Sequence, residues 1–139
     1  MLVEQHGGPL AVTIAGANVH DTKLLAETID AVVIARPDPE KLAQHLCLDK
    51  GYDNPTGART CASSGYVPHI RRIGEEKLDN WGEKTHPARR WVVERTIAWL
   101  QRCRALLIRY DKKPTNYLGL IQLARALLWY RRRHQTQAT

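Results

Sequence analysis

The chain has 139 residues, which is long enough for one domain with a buried core. Its 43% hydrophobic and 25% charged residues are typical of a soluble globular protein. The three cysteines show no CxxC spacing, which argues against a disulfide framework or a zinc site and favours the reducing cytoplasm. No apolar run is long enough to span a bilayer, and the N-terminus lacks the basic and apolar regions of a signal peptide.

The net charge of +7 is distributed unevenly along the chain. Residues 1–83 carry 8 Lys and Arg against 12 Asp and Glu, whereas residues 84–139 carry 13 against 2. The net charge is therefore −4 in the first segment and +11 in the second, where Glu94 and Asp111 are the acidic residues. This polarity predicts a polyanionic partner, most simply nucleic acid. The alternative is an arginine-rich helical surface that is merely solvated.

Apolar runs and turn residues predict strands and helices that alternate along the first half of the chain, followed by two helices. The predicted strands cover residues 10–15, 45–48 and 66–70. The predicted helices start within 18–25, with Asn18 or Asp21 as the cap, and then cover 58–63, 88–108 and 115–132. A polar surface loop is predicted at 71–87. This order favours an α/β domain with a mostly parallel sheet.

An apolar stripe on each of the two C-terminal helices is predicted to face the core. Pro114 separates these helices, because proline cannot continue a helix. The stripes consist of Val93, Ile97, Leu100 and Leu107 on the first helix and Leu120, Ala124, Leu127 and Leu128 on the second.

Asp49 is the first candidate for chemistry. It follows the apolar segment HLCL and precedes a lysine and a glycine, so it lies where a buried strand ends. A carboxylate at such a position is held rigidly yet is open to solvent, which suits a metal ligand. The alternative is an Asp that caps the following turn, and this alternative applies to Asp53 as well.

Glu94 is the second candidate, because it is nearly the sole acidic residue in a basic segment. Arg90 lies four residues earlier on the predicted helix, so an ion pair is the alternative to metal binding. The 45 residues between Asp49 and Glu94 are enough for a crossover that returns to the same end of a sheet. Two carboxylates meeting there suit Mg²⁺, which takes few protein ligands and leaves positions for water and phosphate oxygens.

Four segments, in this order and with these gaps, resemble the C-terminal part of bacterial insertion-sequence transposases of the DDE class, specifically the insertion-sequence-five group. The segments are PLAVTIAGANVHDTKLL, LCLDKGYD, YVPHIRR and PARRWVVERTIAWLQRCRALLIRYDKK. The resemblance covers residues 9–133. The tyrosine and lysine of the related insertion-sequence-four signature are replaced here by Pro87 and Gln101.

The resemblance implies an α/β protein with an incomplete RNase H-like fold over residues 1–139, a mixed sheet flanked by helices, and two long C-terminal helices. It implies a transposase that binds DNA and uses three carboxylates and two Mg²⁺ ions, or Mn²⁺ in their place, for strand cleavage and strand transfer. Asp49 matches the second carboxylate, and Glu94 matches the third. The arginines expected to hold DNA are Arg71, Arg72, Arg89, Arg90, Arg95 and Arg102.

One member of that triad has no counterpart here. The first Asp of the family precedes the PLAVT segment, but none of the eight residues before Pro9 is Asp, and Glu4 is a poor substitute. We therefore expect a truncated or split-frame fragment that does not cleave DNA alone, and that associates with an upstream transposase fragment or with itself. Two alternatives stay open: a catalytically inactive DNA-binding remnant, and an unrelated metal-dependent nuclease of the same fold.

Overall fold

A computed structural model describes residues 1–70 and 90–137 of the chain. It divides into two compact units: unit 1 comprises Met1–Ile14 and Val92–Thr139, and unit 2 comprises Ala15–Trp91. The elements, in chain order, are β1 (Leu2–Val3), β2 (Pro9–Ala11), α1 (Asp21–Asp30), β3 (Gln44–Leu48), a 3-10 turn (Lys50–Tyr52), α2 (Pro55–Ser63), β4 (Tyr66–Ile70), α3 (Arg90–Gln101), α4 (Arg104–Leu107) and α5 (Pro114–Gln137).

Unit 1 combines a short hairpin with the C-terminal helices. Strands β1 and β2 pair antiparallel, with Leu2 opposite Ala11. The core is built from the segment after the hairpin and from all three helices, and α5 contributes the most residues to it. Its buried residues are Val12, Leu100, Leu106, Ile121 and Ala124.

Unit 2 is a parallel β-α-β arrangement preceded by α1. Strands β3 and β4 pair in register from Gln44 opposite Tyr66 to Leu48 opposite Ile70, and α2 provides the crossover between them. Helix α2 begins where sequence chemistry favours a start, because the Asn54 side chain accepts the N–H of Gly57 and Pro55 occupies the first helical turn.

The predicted α/β class is confirmed, but the single mixed sheet is not formed by the described strands. They form two separate two-stranded sheets, one antiparallel and one parallel. The strand predicted at 10–15 is limited to Pro9–Ala11, because only those residues pair with β1. The loop predicted at 71–87 lies outside the described residues.

The caps predicted for α1 are wrong. His20 is the N-cap, and its Nδ1 accepts the N–H of Thr22 at 3.3 Å. An unprotonated imidazole nitrogen can satisfy an orphan N–H at a helix start as a carboxylate would. Asp21 is instead the first residue of the helix, where its negative charge favours the positive end of the helix dipole.

The apolar stripe predicted on the first C-terminal helix is confirmed at Leu100 and wrong at Ile97 and Leu107. The buried positions are Val92, Thr96 and Leu100, at 3%, 0% and 5% exposure. Ile97 and Leu107 are 37% and 62% exposed, so they lie outside this stripe. The helix predicted at 88–108 ends at Gln101, and a separate short helix, α4, follows it.

Helix α5 is longer than predicted and has a narrower buried face. Ile121 and Ala124 are buried, whereas Leu127, predicted to face inward, is 41% exposed. No helix in the described part of the chain combines the length and apolar content needed to cross a bilayer.

Candidate carboxylate site and nucleic-acid interface

Asp49 lies directly after β3 and is exposed to solvent. Its Oδ1 accepts the N–H of Gly51 at 2.8 Å, so the side chain caps the 3-10 turn. The capping role that the sequence left open is therefore present in the structure. It occupies one carboxylate oxygen and places the group at the carboxyl end of a parallel strand, where α/β proteins commonly hold ligands.

Sequence reasoning missed that Asp21 and Asp49 both act electrostatically on Tyr52. Burial raises the pKa of the Tyr52 hydroxyl, and the negative charges of Asp21 and Asp49 raise it further. The start of α1 therefore approaches the turn after β3, and Thr22 Oγ1 donates to the Gly51 carbonyl at 3.4 Å. The two carboxylates are 28 positions apart in the chain, so only the folded arrangement of α1 and β3 brings them to the same tyrosine.

Glu94 lies on α3 and is exposed. Val92 and Thr96 on either side of it are buried, so the helix directs position 94 away from the core of unit 1. Arg90, at position i−4, is the first residue of the same helix, and its side chain is outside the described part of the structure.

The predicted metal ligands belong to different units, Asp49 to unit 2 and Glu94 to unit 1. Among the described residues, no three His, Cys, Asp or Glu side chains converge as potential ligands of one ion. Mg²⁺ requires near-octahedral oxygen coordination and dehydrates reluctantly, so it is held poorly where carboxylates are few. The described residues therefore do not fit a complete two-metal centre.

Arg95, predicted to hold DNA, is used within unit 1. Its guanidinium donates to the His6 carbonyl at 2.8 Å and lies 4.9 Å from the centre of the Trp99 ring. Arg132 donates to the same carbonyl at 2.7 Å and forms an ion pair with Glu4 at 3.1 Å. Both arginines thus bind the turn between β1 and β2.

Three further side chains bind the same hairpin. Thr96 Oγ1 donates to the Gly7 carbonyl at 2.7 Å, and Trp129 Nε1 donates to the Pro9 carbonyl at 3.0 Å. Arg125 donates to the carbonyls of Pro9 and Leu10, and burial lowers the pKa of its guanidinium. We call these side chains the hairpin lock: Arg95, Thr96, Arg125, Trp129 and Arg132.

The hairpin lock explains why Thr96 is buried instead of Ile97. The two strands are too short to pair all their backbone groups, and buried carbonyls without a donor are costly. A threonine hydroxyl satisfies the Gly7 carbonyl, which isoleucine cannot do. Gly7 has φ of +89°, and a Cβ there would lie 2.9 Å from Thr96 Oγ1, so glycine is needed at this close approach.

Glu4 is part of this arrangement and not of an open carboxylate site. Its carboxylate accepts the N–H groups of His6 and Gly8 at 2.8 and 2.6 Å, and it pairs with Arg132. Burial raises the pKa of Glu4, but these N–H groups, the charge of His6 and the hydrogen bond from Arg132 together lower it by more. The net pKa lies below the ordinary value, which is typical of a carboxylate held in its charged form.

The exposed cations of unit 1 form a second group of basic residues. Unit 1 carries 10 Lys and Arg against 3 Asp and Glu, whereas unit 2 carries 11 against 11, so the net charge of +7 belongs to unit 1. Arg102, predicted to bind DNA, is exposed at the end of α3. Sequence reasoning did not single out most of the others. The exposed cations are Arg102, Arg104, Arg109, Lys112, Lys113, Arg131 and Arg133.

Three more of the arginines predicted to bind DNA, Arg71, Arg72 and Arg89, lie outside the described residues. Of the six predicted, the structure therefore places the side chains of two. Arg95 binds the hairpin, and Arg102 is exposed on the surface of unit 1.

Comparison with known proteins agrees with the resemblance. The family model of the transposase DDE domain matches residues 1–129. The chain is 31% identical, over 131 residues, to a curated Burkholderia cepacia protein assigned to insertion sequence element IS402 as its transposase. The match covers 92% of this chain and 60% of that relative, and no solved structure matches the chain. The chain belongs to the transposase DDE domain family of insertion sequences.

Proposed function

We propose that the chain acts in DNA transposition as part of a DDE transposase and that its own contribution is to bind DNA. The observation that carries this proposal is the charge of unit 1, whose exposed side chains include seven Lys and Arg. Duplex DNA carries about one negative charge per 1.7 Å, so such a surface binds it through phosphates. An RNase H-like arrangement of the complete enzyme and a cytoplasmic location belong to the same proposal.

In this proposal, Asp49 and Glu94 supply two carboxylates of a divalent-metal site, and Arg90 orients the glutamate or a phosphate. Support comes from the family and from the exposure of both carboxylates. Asp49 keeps one oxygen outside its hydrogen bond to Gly51, which is compatible with an added ligand role.

We expect no DNA strand cleavage by the 139-residue polypeptide alone. The first aspartate of this sequence is Asp21, on α1, so neither strand of the β1–β2 hairpin bears one. Glu4 is committed to Gly8 and Arg132. Cleavage in this proposal therefore requires a further carboxylate from outside these 139 residues, supplied by an upstream transposase segment or by a second copy arranged to complete the site.

The test is a nicking assay on supercoiled plasmid with Mg²⁺ or Mn²⁺. The expected result is no metal-dependent nicking above that of a metal-free sample. Robust nicking by the wild-type chain that disappears in both Asp49→Asn and Glu94→Gln would contradict the expectation. Asparagine is as good an N-cap as aspartate, so the first variant removes the charge while keeping the turn.

A catalytically inactive DNA-binding remnant is the second candidate, and the capping role of Asp49 favours it. The two candidates differ in the metal dependence of DNA binding. If Asp49 and Glu94 hold metal, adding Mg²⁺ at constant ionic strength lowers the Kd of the wild-type chain for DNA. The same addition does not lower the Kd of Asp49→Asn. If the remnant hypothesis is correct, Mg²⁺ affects both proteins equally. Fluorescence anisotropy at constant ionic strength distinguishes these results.

A further inference from the structure

Five basic residues lie within the twelve residues that connect α3 to α5. We call residues 102–113 the basic turn; they include α4. The turn contains one acidic residue, Asp111, and its cations are Arg102, Arg104, Arg109, Lys112 and Lys113. All five are exposed. By contrast, the three arginines of the hairpin lock lie at other positions of α3 and α5 and bind backbone carbonyls.

The basic turn is anchored to the core of unit 1. Leu106 is 7% exposed and packs in the cluster that includes Ile121. Tyr117, on the first turn of α5, donates its hydroxyl to the Leu106 carbonyl at 3.1 Å. A segment fixed in this way loses little conformational entropy when it binds, which favours binding of an extended ligand.

Arg109 is the most constrained cation of the turn. Its guanidinium lies 5.4 Å from the centre of the Tyr117 ring, and its Nε donates to the Asp111 carbonyl at 3.0 Å. These contacts hold the charge near the chain that carries Lys112 and Lys113. The positive charges are therefore concentrated along one short segment, which is anchored to the core of unit 1.

Large apolar side chains are exposed between these charges. Ile108 is 55% exposed, and Tyr110 is 78% exposed. Exposed aromatic and aliphatic groups among cations match the chemistry of a nucleic-acid backbone, whose sugars are apolar and whose phosphates are anionic.

We propose that the basic turn is a binding site for the backbone of duplex DNA, with Arg104, Lys112 and Lys113 on phosphates and Tyr110 on sugar or groove surface. The inference rests on the proposed function, because it identifies where unit 1 binds the DNA. Recognition is independent of base sequence, since the charged groups of the turn meet phosphates and not base edges.

The experiment compares two triple variants that each remove one arginine and two lysines. The turn variant carries Arg104→Gln, Lys112→Gln and Lys113→Gln. The matched control carries Arg59→Gln, Lys23→Gln and Lys41→Gln, which are exposed positions of unit 2. Both have the same net charge. Circular dichroism and thermal unfolding verify that each folds like the wild-type chain.

Binding to a duplex of about 25 base pairs is measured by anisotropy from about 0.05 to 0.2 M salt. The turn variant is expected to bind about tenfold or more weakly, and the slope of log Kd against log salt should fall by about 2 to 3. The control should change Kd by less than about threefold, because its three positions are not part of the proposed site and affect binding through net charge alone. Tyr110→Ser in the wild-type background should weaken binding by a few-fold with an unchanged slope.

The outcomes separate the inference from the proposed function. If the wild-type chain binds DNA and the turn variant binds equally well, the site is elsewhere and the inference is overturned while the function stands. Equal losses in the turn variant and the control would mean that net charge alone matters, which also overturns it. If the wild-type chain does not bind DNA, or if it binds anionic vesicles in preference to DNA in a cosedimentation assay, the proposed function and the inference are both overturned.

Discussion

Unit 1 and unit 2 contain similar numbers of basic residues but use them differently. In unit 2, the number of Lys and Arg equals the number of Asp and Glu. Arg36 of this unit donates to the Ser64 carbonyl at 2.7 Å, and its guanidinium lies 4.0 Å from the centre of the Tyr66 ring. In unit 1, basic residues exceed acidic residues by seven. The basic residues divide into half-buried arginines that bind the hairpin and exposed cations on the surface.

The difference shows that a count of basic residues overstates a binding surface. Arg95 was predicted to bind DNA, and Arg125 and Arg132 add to the charge of the basic C-terminal segment, yet the N–H groups of all three bind backbone carbonyls. Arginine suits this use, because its five donors reach several acceptors at once. The exposed cations that remain are concentrated in the basic turn and near the end of α5.

The largest effect is expected from Gly8→Ala, which tests how tightly unit 1 holds its hairpin. A Cβ at Gly8 would overlap the Trp129 ring and would lie 2.8 Å from Glu4 Oε1. Such overpacking should lower the free energy of unfolding by about 3 kcal/mol. The measurement is urea unfolding followed by circular dichroism and by tryptophan fluorescence, to which Trp99 and Trp129 of unit 1 contribute together with Trp81 and Trp91 of unit 2.

The matched control is Gly119→Ala in the same unit. Nothing lies within 4 Å of a Cβ at this position of α5. Alanine is a better helix former than glycine, so this variant should be more stable by about 0.5–1 kcal/mol. A Gly8→Ala variant that is as stable as the wild-type chain would show that the hairpin is not held as closely as the structure indicates.

A smaller effect is expected from Thr96→Val, which keeps the side-chain shape and removes the hydroxyl. The Gly7 carbonyl then loses its donor in a buried site, which should cost about 2 kcal/mol of unfolding free energy. Thr28→Val in unit 2 is the comparison, because that hydroxyl donates to the Leu24 carbonyl within its own helix. Its expected cost is below about 1 kcal/mol, since that carbonyl keeps its helical partner. Equal costs would remove the distinction between the two buried threonines.

The smallest effect concerns the pH dependence of unit 1. The pKa of Glu4 is lower in the folded chain than its ordinary value of 4.5, so the unfolded chain takes up the proton first as the pH falls. The contribution of Glu4 to stability is therefore complete above pH 4.5 and is lost as the pH falls through the folded-state pKa. Glu4→Gln should flatten the dependence of the urea midpoint on pH between about pH 6 and pH 3.

Glu27→Gln, on the exposed side of α1, is the control for this measurement. It should leave the acid dependence of unit 1 unchanged, because Glu27 belongs to unit 2. A Glu4→Gln variant whose acid dependence matches that of the wild-type chain would mean that the ion pair with Arg132 and the N–H bonds do not favour the charged carboxylate.

Local chemistry made several features predictable. The strand before Asp49 and the strand at Tyr66–Ile70 follow from apolar runs bounded by turn residues, and Pro114 begins α5 where it was expected to separate two helices. The cap of α1 and the inward face of α3 were not predictable. His20 and Thr96 owe their roles to particular backbone groups, the N–H of Thr22 and the carbonyl of Gly7.

The sequence by itself determined the family, the α/β class, the position of Asp49 after a strand and the basic character of the C-terminal half. These depend on short-range patterns and on composition, which are written in consecutive residues. The tertiary structure alone decided which cations bind backbone and which face solvent. Arg132 meets Glu4 across 128 positions, and no periodicity in a sequence encodes a contact between residues so far apart.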